Sequence, residues 1–337
     1  MMELTSVLLE RIAAIIAGPS SRLFPFYLLV TAGICAYLYR RRRISTSFLA
    51  WLVPKSIYLH PSHIVDIKVF FVNRLVTAVG LFNVVAFSAI IASTMADSVS
   101  LGTSIGTLHP VLVAMLLLVV SDFSTYWVHR IHHENRIIWP FHSLHHSAEV
   151  LTPITVYRKH PVYDLISSFV RGGLIGTLQG IFLVVFEQGP SFLTIAGVNM
   201  FYVLFNIAGS NLRHSHVWLS FGPPLEHFLI SPAQHQIHHS LAPQHHNKNY
   251  GEVLAIWDWM FGTLYVPCET EVLEFGLADT DGKRLRQRHD SLTAALLVPF
   301  IDSYRHLAKT FVRRGEATPP PADRIDIAQG QTSRSTE

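Results

Sequence analysis

Histidines are concentrated in two short stretches of this 337-residue chain. Of its 20 histidines, six lie within residues 129–146 and five within residues 235–246. They form three boxes, WVHRIHH, HSLHH and HQIHH, in which spacings of three and four residues place imidazoles on one face of a helix. Eight imidazoles would suit two metal ions with three or four nitrogen ligands each. The ligands predicted from these boxes are His129, His133, His142, His145, His146, His235, His238 and His239.

The rest of the sequence narrows the chemistry of such a site. Only two cysteines are present, Cys35 and Cys268, so neither a thiolate metal site nor a disulfide framework is available. Imidazole ligands are compatible with Zn, Cu, Fe or Ni, and ligand type alone leaves the metal open. A structural zinc ion would need four ligands rather than eight. A solvated histidine-rich loop is the simplest alternative, but the helical spacing of the boxes argues against it.

The composition indicates a membrane protein. Apolar residues make up 50% of the chain and charged residues 15%, whereas about 25% is usual in soluble domains. The mean hydropathy is +0.32. The net charge of +3 is too small to indicate a nucleic-acid partner, and no nucleic-acid motif is present. Dioxygen chemistry on the C–H bonds of a lipid would explain a metal site built beside a bilayer.

Five apolar stretches approach the length needed to cross a bilayer, about 20 residues. The last two form a hairpin that either crosses fully or is re-entrant, and residues 1–18 are interpreted as an amphipathic surface helix. The predicted fold is therefore an all-α integral membrane protein with four to five membrane helices and a cytoplasmic helical cap that carries a histidine-rich di-metal site. The predicted spans are residues 23–38, 75–95, 110–128, 169–187 and 190–210.

The orientation follows from a basic run, Arg40 to Arg43, directly after the first span. The positive-inside rule places this run in the cytoplasm, and the N-terminus is then outside. Counting crossings from there puts all three histidine boxes on the cytoplasmic side. The expected location is a bacterial inner membrane or the endoplasmic reticulum. Three regions are predicted: an N-terminal membrane region at 1–100, a catalytic domain at 101–270, and a cytoplasmic tail at 271–337 that is disordered from about residue 314.

Two residues precede the first box on the same helical face. Asp122 lies two turns and Tyr126 one turn before His129, within the third predicted span. An acid inside a span is costly and usually functional. We expect Asp122 to accept a hydrogen bond from a metal-bound imidazole, as carboxylates beside such histidines commonly do, and Tyr126 to act similarly. The alternative for Asp122 is a hydrogen bond between helices.

The boxes and their surroundings resemble the fatty acid hydroxylase and sterol desaturase superfamily. The similarity covers roughly residues 110–265 and includes DFSTYWVHR, RKHP, HSHVWLSFGPPLEHFLISP and NKNYGEVLAIWDWMFGTLY. It implies a cytoplasm-facing di-iron centre ligated by the boxes, with His214 as a further ligand. His160, His216 and Asn249 match family positions that are expected to support the ligands or the structure, although many relatives carry Asn where this chain has His216.

The resemblance implies an oxygenase that uses dioxygen and two electrons to hydroxylate a lipid, with no catalytic residue beyond the ligands. Desaturation of a sterol or acyl lipid by the same centre stays open. No haem-binding, dinucleotide-binding or iron–sulfur pattern is present, so the electrons must come from a separate electron-transfer partner or a reduced pterin. A metal transporter or sensor is the alternative from another class. It is disfavoured because the predicted spans carry few ionisable groups.

Overall fold

A computed structural model describes residues 13–79, 84–99, 106–186, 194–195 and 198–315. The prediction of an all-α fold is confirmed for these residues, apart from one antiparallel pair of two-residue strands, Thr194–Ile195 and Val198–Asn199. The predicted surface helix begins in residues 1–12, which lie outside the described residues, and residues 13–17 are helical. The tail predicted to be disordered also lies outside them beyond Gly315.

Besides residues 13–17, the described residues form thirteen α-helices, which are joined by loops and 3-10 turns. The 3-10 turns are Pro153–Tyr157, Ser210–His214 and Pro243–His245. The helices are α1 Pro25–Arg41, α2 Phe48–Leu52, α3 Lys55–Tyr58, α4 Pro61–Ala78, α5 Val84–Ser98, α6 Pro110–Glu134, α7 Trp139–His146, α8 Pro161–Val185, α9 Met200–Ile207, α10 Pro223–Glu226, α11 Pro232–His238, α12 Ile256–Met260 and α13 Leu292–Gly315.

Two of these helices, α6 and α8, are long and apolar enough to cross a membrane. They contain the predicted spans at 110–128 and most of 169–187, and α8 begins earlier, at Pro161. Helix α1 is 17 residues long and corresponds to the first predicted span, while α5 is a shorter apolar helix of 15 residues. The described helices thus support two spans by length and composition, fewer than the four to five predicted.

Two predicted spans differ from the structure. The stretch 75–95 is not one described helix, because α4 ends at Ala78 and α5 begins at Val84. The stretch 190–210 contains the strand pair and the eight-residue α9, which is too short to cross a bilayer. Helix α9 starts at the cap residue Asn199 and stops before Gly209, whose φ of +94° is incompatible with a continuing helix. Hydropathy detected these apolar residues, but it did not detect where the described helices begin and end.

Small residues hold α5 against α8. Added Cβ atoms at Gly172, Gly176 and Gly180 would come within 2.7 to 2.8 Å of atoms of α5, so only glycine allows this approach. Residues four apart lie on one helical face, and small residues at that spacing permit close helix packing in membranes. On another side α8 packs against α6 through Phe182, which contacts Val113 and Leu117. These contacts fix the orientation of α6, whose last turns carry the first histidine box.

Candidate metal centre

The nine predicted histidine ligands converge in two groups. Within each group the ligand nitrogens all lie within 4.8 Å of one another. The five-histidine group consists of His129, His133, His142, His146 and His238. The four-histidine group consists of His145, His214, His235 and His239.

Four separate elements supply these imidazoles. The C-terminal turns of α6 carry His129 and His133, and the short helix α7 carries the HSLHH box. The 3-10 turn Ser210–His214 ends on His214. Helix α11 and its C-cap carry the HQIHH box, and a capping box between Ser231 and Gln234 fixes its first turn. Along each of the boxes HSLHH and HQIHH, successive histidines belong to alternate groups.

The nitrogen separations fit ligands that share a metal ion. In the five-histidine group the Nε2 atom of His146 lies 3.1 Å from those of His133 and His238. In the four-histidine group the Nε2 atom of His214 lies 3.3 Å from that of His145 and 3.0 Å from that of His235. Two nitrogens bound at right angles to one ion at about 2.0 to 2.1 Å are roughly 3.0 Å apart. The spacing in both groups is therefore that of adjacent ligands.

Backbone carbonyls orient two of the imidazoles. The Nδ1 atom of His129 lies 2.7 Å from the carbonyl oxygen of Tyr250, and Nδ1 of His238 lies 2.7 Å from that of Lys248. When Nδ1–H donates to a carbonyl, the proton is absent from Nε2, and that lone pair can bind a metal. The Nε2 atoms of His129, His142 and His239 are buried and have no hydrogen-bond partner among the described residues. Such atoms fit a metal centre.

Burial keeps the imidazoles outside α6 neutral. Desolvation, followed by the proximity of other imidazoles and of cationic side chains such as Arg213, lowers the pKa of His142, His145, His146, His214, His235 and His239 well below its ordinary value. Desolvation also lowers the pKa of His238, to about 4. Neutral imidazole is the form that binds metal ions. The donor set is thus uncharged at physiological pH, each imidazole keeps one nitrogen free of a proton, and the two groups contain neither thiolate nor carboxylate.

Asp122 does not bind an imidazole, and this prediction is wrong. Its carboxylate accepts hydrogen bonds from the backbone N–H groups of Val253 and Leu254, at 2.8 and 3.0 Å, and from the indole of Trp257 at 3.0 Å. Asp122 lies two turns before His129, and at that level α6 faces the segment around residue 254 instead of the other boxes. The carboxylate therefore joins α6 to the segment that follows Tyr250, and so helps to hold the carbonyl group that orients His129.

Tyr126 likewise contacts no metal-binding imidazole through its hydroxyl. That hydroxyl lies 3.0 Å from Oγ1 of Thr263 and accepts a hydrogen bond from Arg130. His160 caps the N-terminus of α8, and its Nε2 donates to the carbonyl of Leu296 at 3.0 Å. Its contacts are structural and lie outside both histidine groups.

His216 also lies outside the two groups. Its Nε2 donates to the carbonyl of Trp51 at 2.8 Å, so it joins the loop after His214 to α2. Asn249 is closer to the ligands: its amide donates to the carbonyls of Gln234 and Tyr265 and accepts from the N–H of Tyr265. It lies between Lys248 and Tyr250, whose carbonyls orient His238 and His129. Asn249 thus ties the segment bearing these carbonyls to α11.

A buried ion pair beneath α7 was not predicted from the sequence. The guanidinium of Arg158 is completely buried and lies 2.7 Å from the carboxylate of Asp66, which is also completely buried. Arg158 further donates to the carbonyl of Leu144 and the hydroxyl of Ser147, at the end of α7. The RKHP motif could have drawn attention to Arg158, but its partner is 92 residues away in the chain.

Two cavities reach the histidines, and they share no lining residue among those described. The first, of about 730 Å³, is reached by His129, His142, His145, His214 and His235. Its wall contains four cationic side chains and one carboxylate, and we call it the cationic cavity: Arg22, Lys159, Arg171, Arg213 and Glu252. The second, of about 620 Å³, is reached by His133, His146, His238 and His239. No Lys, Arg, Asp or Glu is found in its described wall, and we call it the neutral cavity.

Comparison with known proteins agrees with this site. The chain is 34% identical over 163 residues to the ornithine lipid hydroxylase OlsE of Rhizobium tropici, which covers 48% of this chain and 45% of that protein. It is 34% identical over 156 residues to the alkylglycerol monooxygenase of Xenopus tropicalis, covering 46% and 31%. Protein CER1-like 2 of Arabidopsis thaliana is 26% identical over 207 residues, covering 60% and 30%. The chain thus spans less than half the length of these relatives, and no solved structure matches it.

The match to a protein family contains the whole candidate site. It extends over residues 114–263 and therefore includes all nine histidines of the two groups. The resemblance predicted from the boxes is confirmed. Residues 114–263 of this chain match the model of the fatty acid hydroxylase family.

Proposed function

We propose that this protein is a membrane-bound di-iron oxygenase that uses dioxygen and two electrons to hydroxylate an unactivated C–H bond of a lipid. The observation that carries the proposal is the pair of buried all-imidazole groups, whose neighbouring nitrogens are 3.0 to 3.3 Å apart. Each group would hold one ion. The nine histidines would then be the metal ligands, five for one ion and four for the other.

The choice of iron rests on the chemistry of the relatives. Imidazole nitrogens alone would also accept Zn, Cu or Ni. Two of the relatives are named as a hydroxylase and a monooxygenase, which points to redox chemistry with dioxygen and away from a structural zinc site. Bound iron would supply the redox chemistry that activates dioxygen. The electrons would come from a separate electron-transfer partner or a reduced pterin.

A bilayer location is supported by the surface of the long helices. Apolar side chains are exposed on α5 and α8, including Val85, Ile90 and Phe169. Exposed apolar surface of this extent marks contact with lipid or with a partner protein. We place α6 across the membrane and α8 as the first arm of a re-entrant hairpin, because α9 is too short to bring the chain back across the bilayer. The basic end of α1 and the metal centre then lie on the cytoplasmic side. In this proposal residues 1–100 form a membrane region, 101–270 the catalytic domain and 271–337 a cytoplasmic tail.

The residues around the ions have separable tasks. The carbonyls of Tyr250 and Lys248 fix two imidazoles with Nε2 directed inward. The ring of Tyr163 stacks on His142 at 4.7 Å and covers one side of the five-histidine group. The cationic cavity reaches imidazoles of both groups and offers a lipid access to either ion. Burial of the ligands excludes bulk water from the place where the C–H bond would be broken.

Desaturation is the alternative outcome of the same chemistry. A single hydrogen abstraction followed by oxygen transfer yields an alcohol, whereas two abstractions yield an alkene. The names of the two hydroxylating relatives favour the alcohol. A transporter or sensor is disfavoured because the histidines lie in a buried cluster, supplied by the end of α6 and by short elements, and do not form a path along several spans.

The test uses purified, iron-loaded protein in detergent with a chemical reductant, a total lipid extract and isotopically labelled dioxygen. The expected result is oxygen consumption together with a lipid that gains one labelled oxygen atom, detected by mass spectrometry. Loss of two hydrogen atoms without labelled oxygen would establish desaturation instead. Absence of both products from protein shown to contain two irons and to be reducible would contradict the proposed function.

A further inference from the structure

The cationic cavity carries more positive charge than its own carboxylate can balance. Its wall has three guanidinium groups and one ammonium group against the single carboxylate of Glu252. The closest approach of Arg22 to that carboxylate is 3.7 Å. Burial opposes ionisation of Glu252, but the nearby charges of Arg171, Arg22, Arg213 and Lys159 outweigh burial and lower the pKa of its carboxyl group. The carboxylate is therefore ionised, and three positive charges remain without a counter-charge in the wall.

Several donors in this wall have no partner among the described residues. The Nε atoms of Arg171 and Arg213 are buried and without a hydrogen bond. The ammonium of Lys159 lies over the face of the Tyr163 ring, 5.5 Å from the ring centre. Buried polar groups in folded proteins are nearly always hydrogen-bonded, and buried charges are paired. The unpaired donors around this cavity indicate a place for an anion.

The position of Arg171 strengthens this conclusion. It lies within α8, which is long and apolar enough to cross a membrane. Its guanidinium makes one hydrogen bond to a side chain, to the hydroxyl of Ser121 at 3.1 Å. Ionisable residues in such helices are rare because they are costly, and they usually mark a substrate pathway. A positive charge held in an apolar helix and facing the cavity is expected where the protein binds an anion.

The same cations lie directly beside the metal-binding groups. The Nη2 atom of Arg213 is 3.1 Å from Nδ1 of His235, in the four-histidine group. Lys159 lies over Tyr163, which stacks on His142 in the five-histidine group. An anion bound by Arg213 and Lys159 would therefore be separated from either group by no more than one side chain.

We propose that the cationic cavity binds the anionic group of a polar lipid headgroup, a phosphate or a carboxylate, and so selects an anionic lipid as substrate. The proposal rests on the proposed function for the reaction that follows, but not for the binding itself. Because the anion and the ions are adjacent, the carbon that is hydroxylated lies in the headgroup or in the first carbons of the attached chain. Carbons near the free end of the acyl chain are out of reach.

Binding is tested with the purified full chain in detergent and three lipids that share the same fluorescent acyl chain. These are a phosphatidylglycerol, an N-acyl amino acid with a free carboxylate, and a neutral diacylglycerol. At least one of the anionic lipids is expected to bind about tenfold or more tightly than diacylglycerol, since hydrogen bonds to charged groups are strong. Equal affinity for all three lipids would overturn the proposal. Displacement by inorganic phosphate at the concentration at which the lipid itself binds would also overturn it, because the site would then be one for a free anion.

Lys159→Gln isolates the charge effect, because the ammonium makes no hydrogen bond that the fold depends on. This variant is expected to weaken anionic-lipid binding about tenfold and to leave diacylglycerol binding unchanged. Arg284→Gln is the matched control, since Arg284 is an exposed cation paired with Glu274 outside the cavity. Equal affinity of the wild type and Lys159→Gln for the anionic lipid would contradict the assignment, as would an equal loss in Arg284→Gln.

The position of oxygenation separates this inference from the proposed function. Tandem mass spectrometry of the product is expected to place the new oxygen in the headgroup or the first carbons of the chain. Oxygen near the end of the acyl chain would overturn the headgroup assignment and leave the oxygenase proposal intact. Selective binding of anionic lipid without any oxidised product would support the headgroup assignment and contradict the oxygenase proposal.

Discussion

The cationic and neutral cavities reach different imidazoles of the same two histidine groups, and their walls differ in charge. The cationic cavity is bordered by Arg171 of the apolar helix α8 and by basic residues from three other segments. The neutral cavity is bordered by Trp139, by the loop after α11 and by residues 276–278. Identical ligand chemistry is thus combined with two different electrostatic environments. In the proposed function, metal binding and substrate selection are therefore carried by different residues and can be altered separately.

The largest expected effect comes from removing one ligand on either side. His214→Ala removes a histidine that lines the cationic cavity, and His133→Ala removes one that lines the neutral cavity. Each variant should lose about one metal ion per chain and at least about a hundredfold in activity. The matched control is His246→Ala, because His246 lines the neutral cavity but belongs to neither group. Metal analysis and product formation check this. A ligand variant that kept both ions and full activity would contradict its assignment.

The ion pair beneath α7 should affect both cavities alike, because α7 supplies His142 and His145 to one cavity and His146 to the other. Arg158→Met leaves the Asp66 carboxylate buried without its counter-charge and should cost roughly 3 to 5 kcal/mol of stability. Thermal unfolding in detergent measures the loss. Arg305→Met, at an exposed ion pair, should change stability by less than about 1 kcal/mol. Similar losses in the two variants would show that the buried pair has no special role.

Acid should destabilise the metal-free protein through the buried imidazoles that α7, α11 with its C-cap, and the turn Ser210–His214 supply to the two groups. Their pKa values in the fold lie below the ordinary value, so stability is complete above about pH 6.5 and falls as the pH drops towards about 4, the pKa of His238. The unfolding temperature of metal-free protein should fall by more than about 5 °C between about pH 7.5 and about pH 5.5. Bound metal competes with protons and should reduce this loss. An unfolding temperature independent of pH in this range would be inconsistent with buried neutral imidazoles.

Asp122→Asn should give a smaller, graded effect. The amide replaces a carboxylate oxygen that accepts from Leu254 and Trp257, so at least one donor is left unsatisfied, at a cost of about 1 to 3 kcal/mol. Because Asp122 touches no imidazole, both metal ions should remain bound while activity declines through movement of the Tyr250 carbonyl. Asp97→Asn, at an exposed position of α5, is the control. Loss of metal from Asp122→Asn would restore the direct role first predicted for this residue.

The smallest effect is expected from a charge placed in the neutral cavity. Ala278→Lys adds a cation to its wall, away from the four cations of the other cavity. The preference for anionic over neutral lipid should stay within about twofold of the wild type, since charges separated by more than the screening length of about 8 Å interact weakly. The fluorescent-lipid titration measures this ratio. A large increase in the preference would place the lipid headgroup in the neutral cavity instead.

The sequence was sufficient to predict which histidines converge in the fold, because a metal site built on helices leaves a local pattern. The three boxes repeat imidazoles at helical spacing, and His214 followed from the family resemblance. The contacts that orient them do not leave such a pattern. Asp122 and Val253 are 131 residues apart, and Arg158 and Asp66 are 92 apart, so neither pairing can be inferred from one chain.

Membrane spans were predicted less well for a related reason. Hydropathy detects apolar residues within a window but not where a helix ends. It located α6 and α8, but it treated residues 75–95 as one helix and 190–210 as another. The cationic cavity was also missed, because its charges come from segments that are widely separated in the sequence and meet only in the fold.

The most direct test of the di-metal centre is the iron content of active protein. The chain purified without oxygen and loaded with ferrous iron should contain two iron ions per polypeptide by elemental mass spectrometry, and His214→Ala and His133→Ala should each contain about one. Hydroxylation should require both ions. Full lipid hydroxylation by protein that holds a single iron ion would contradict the account.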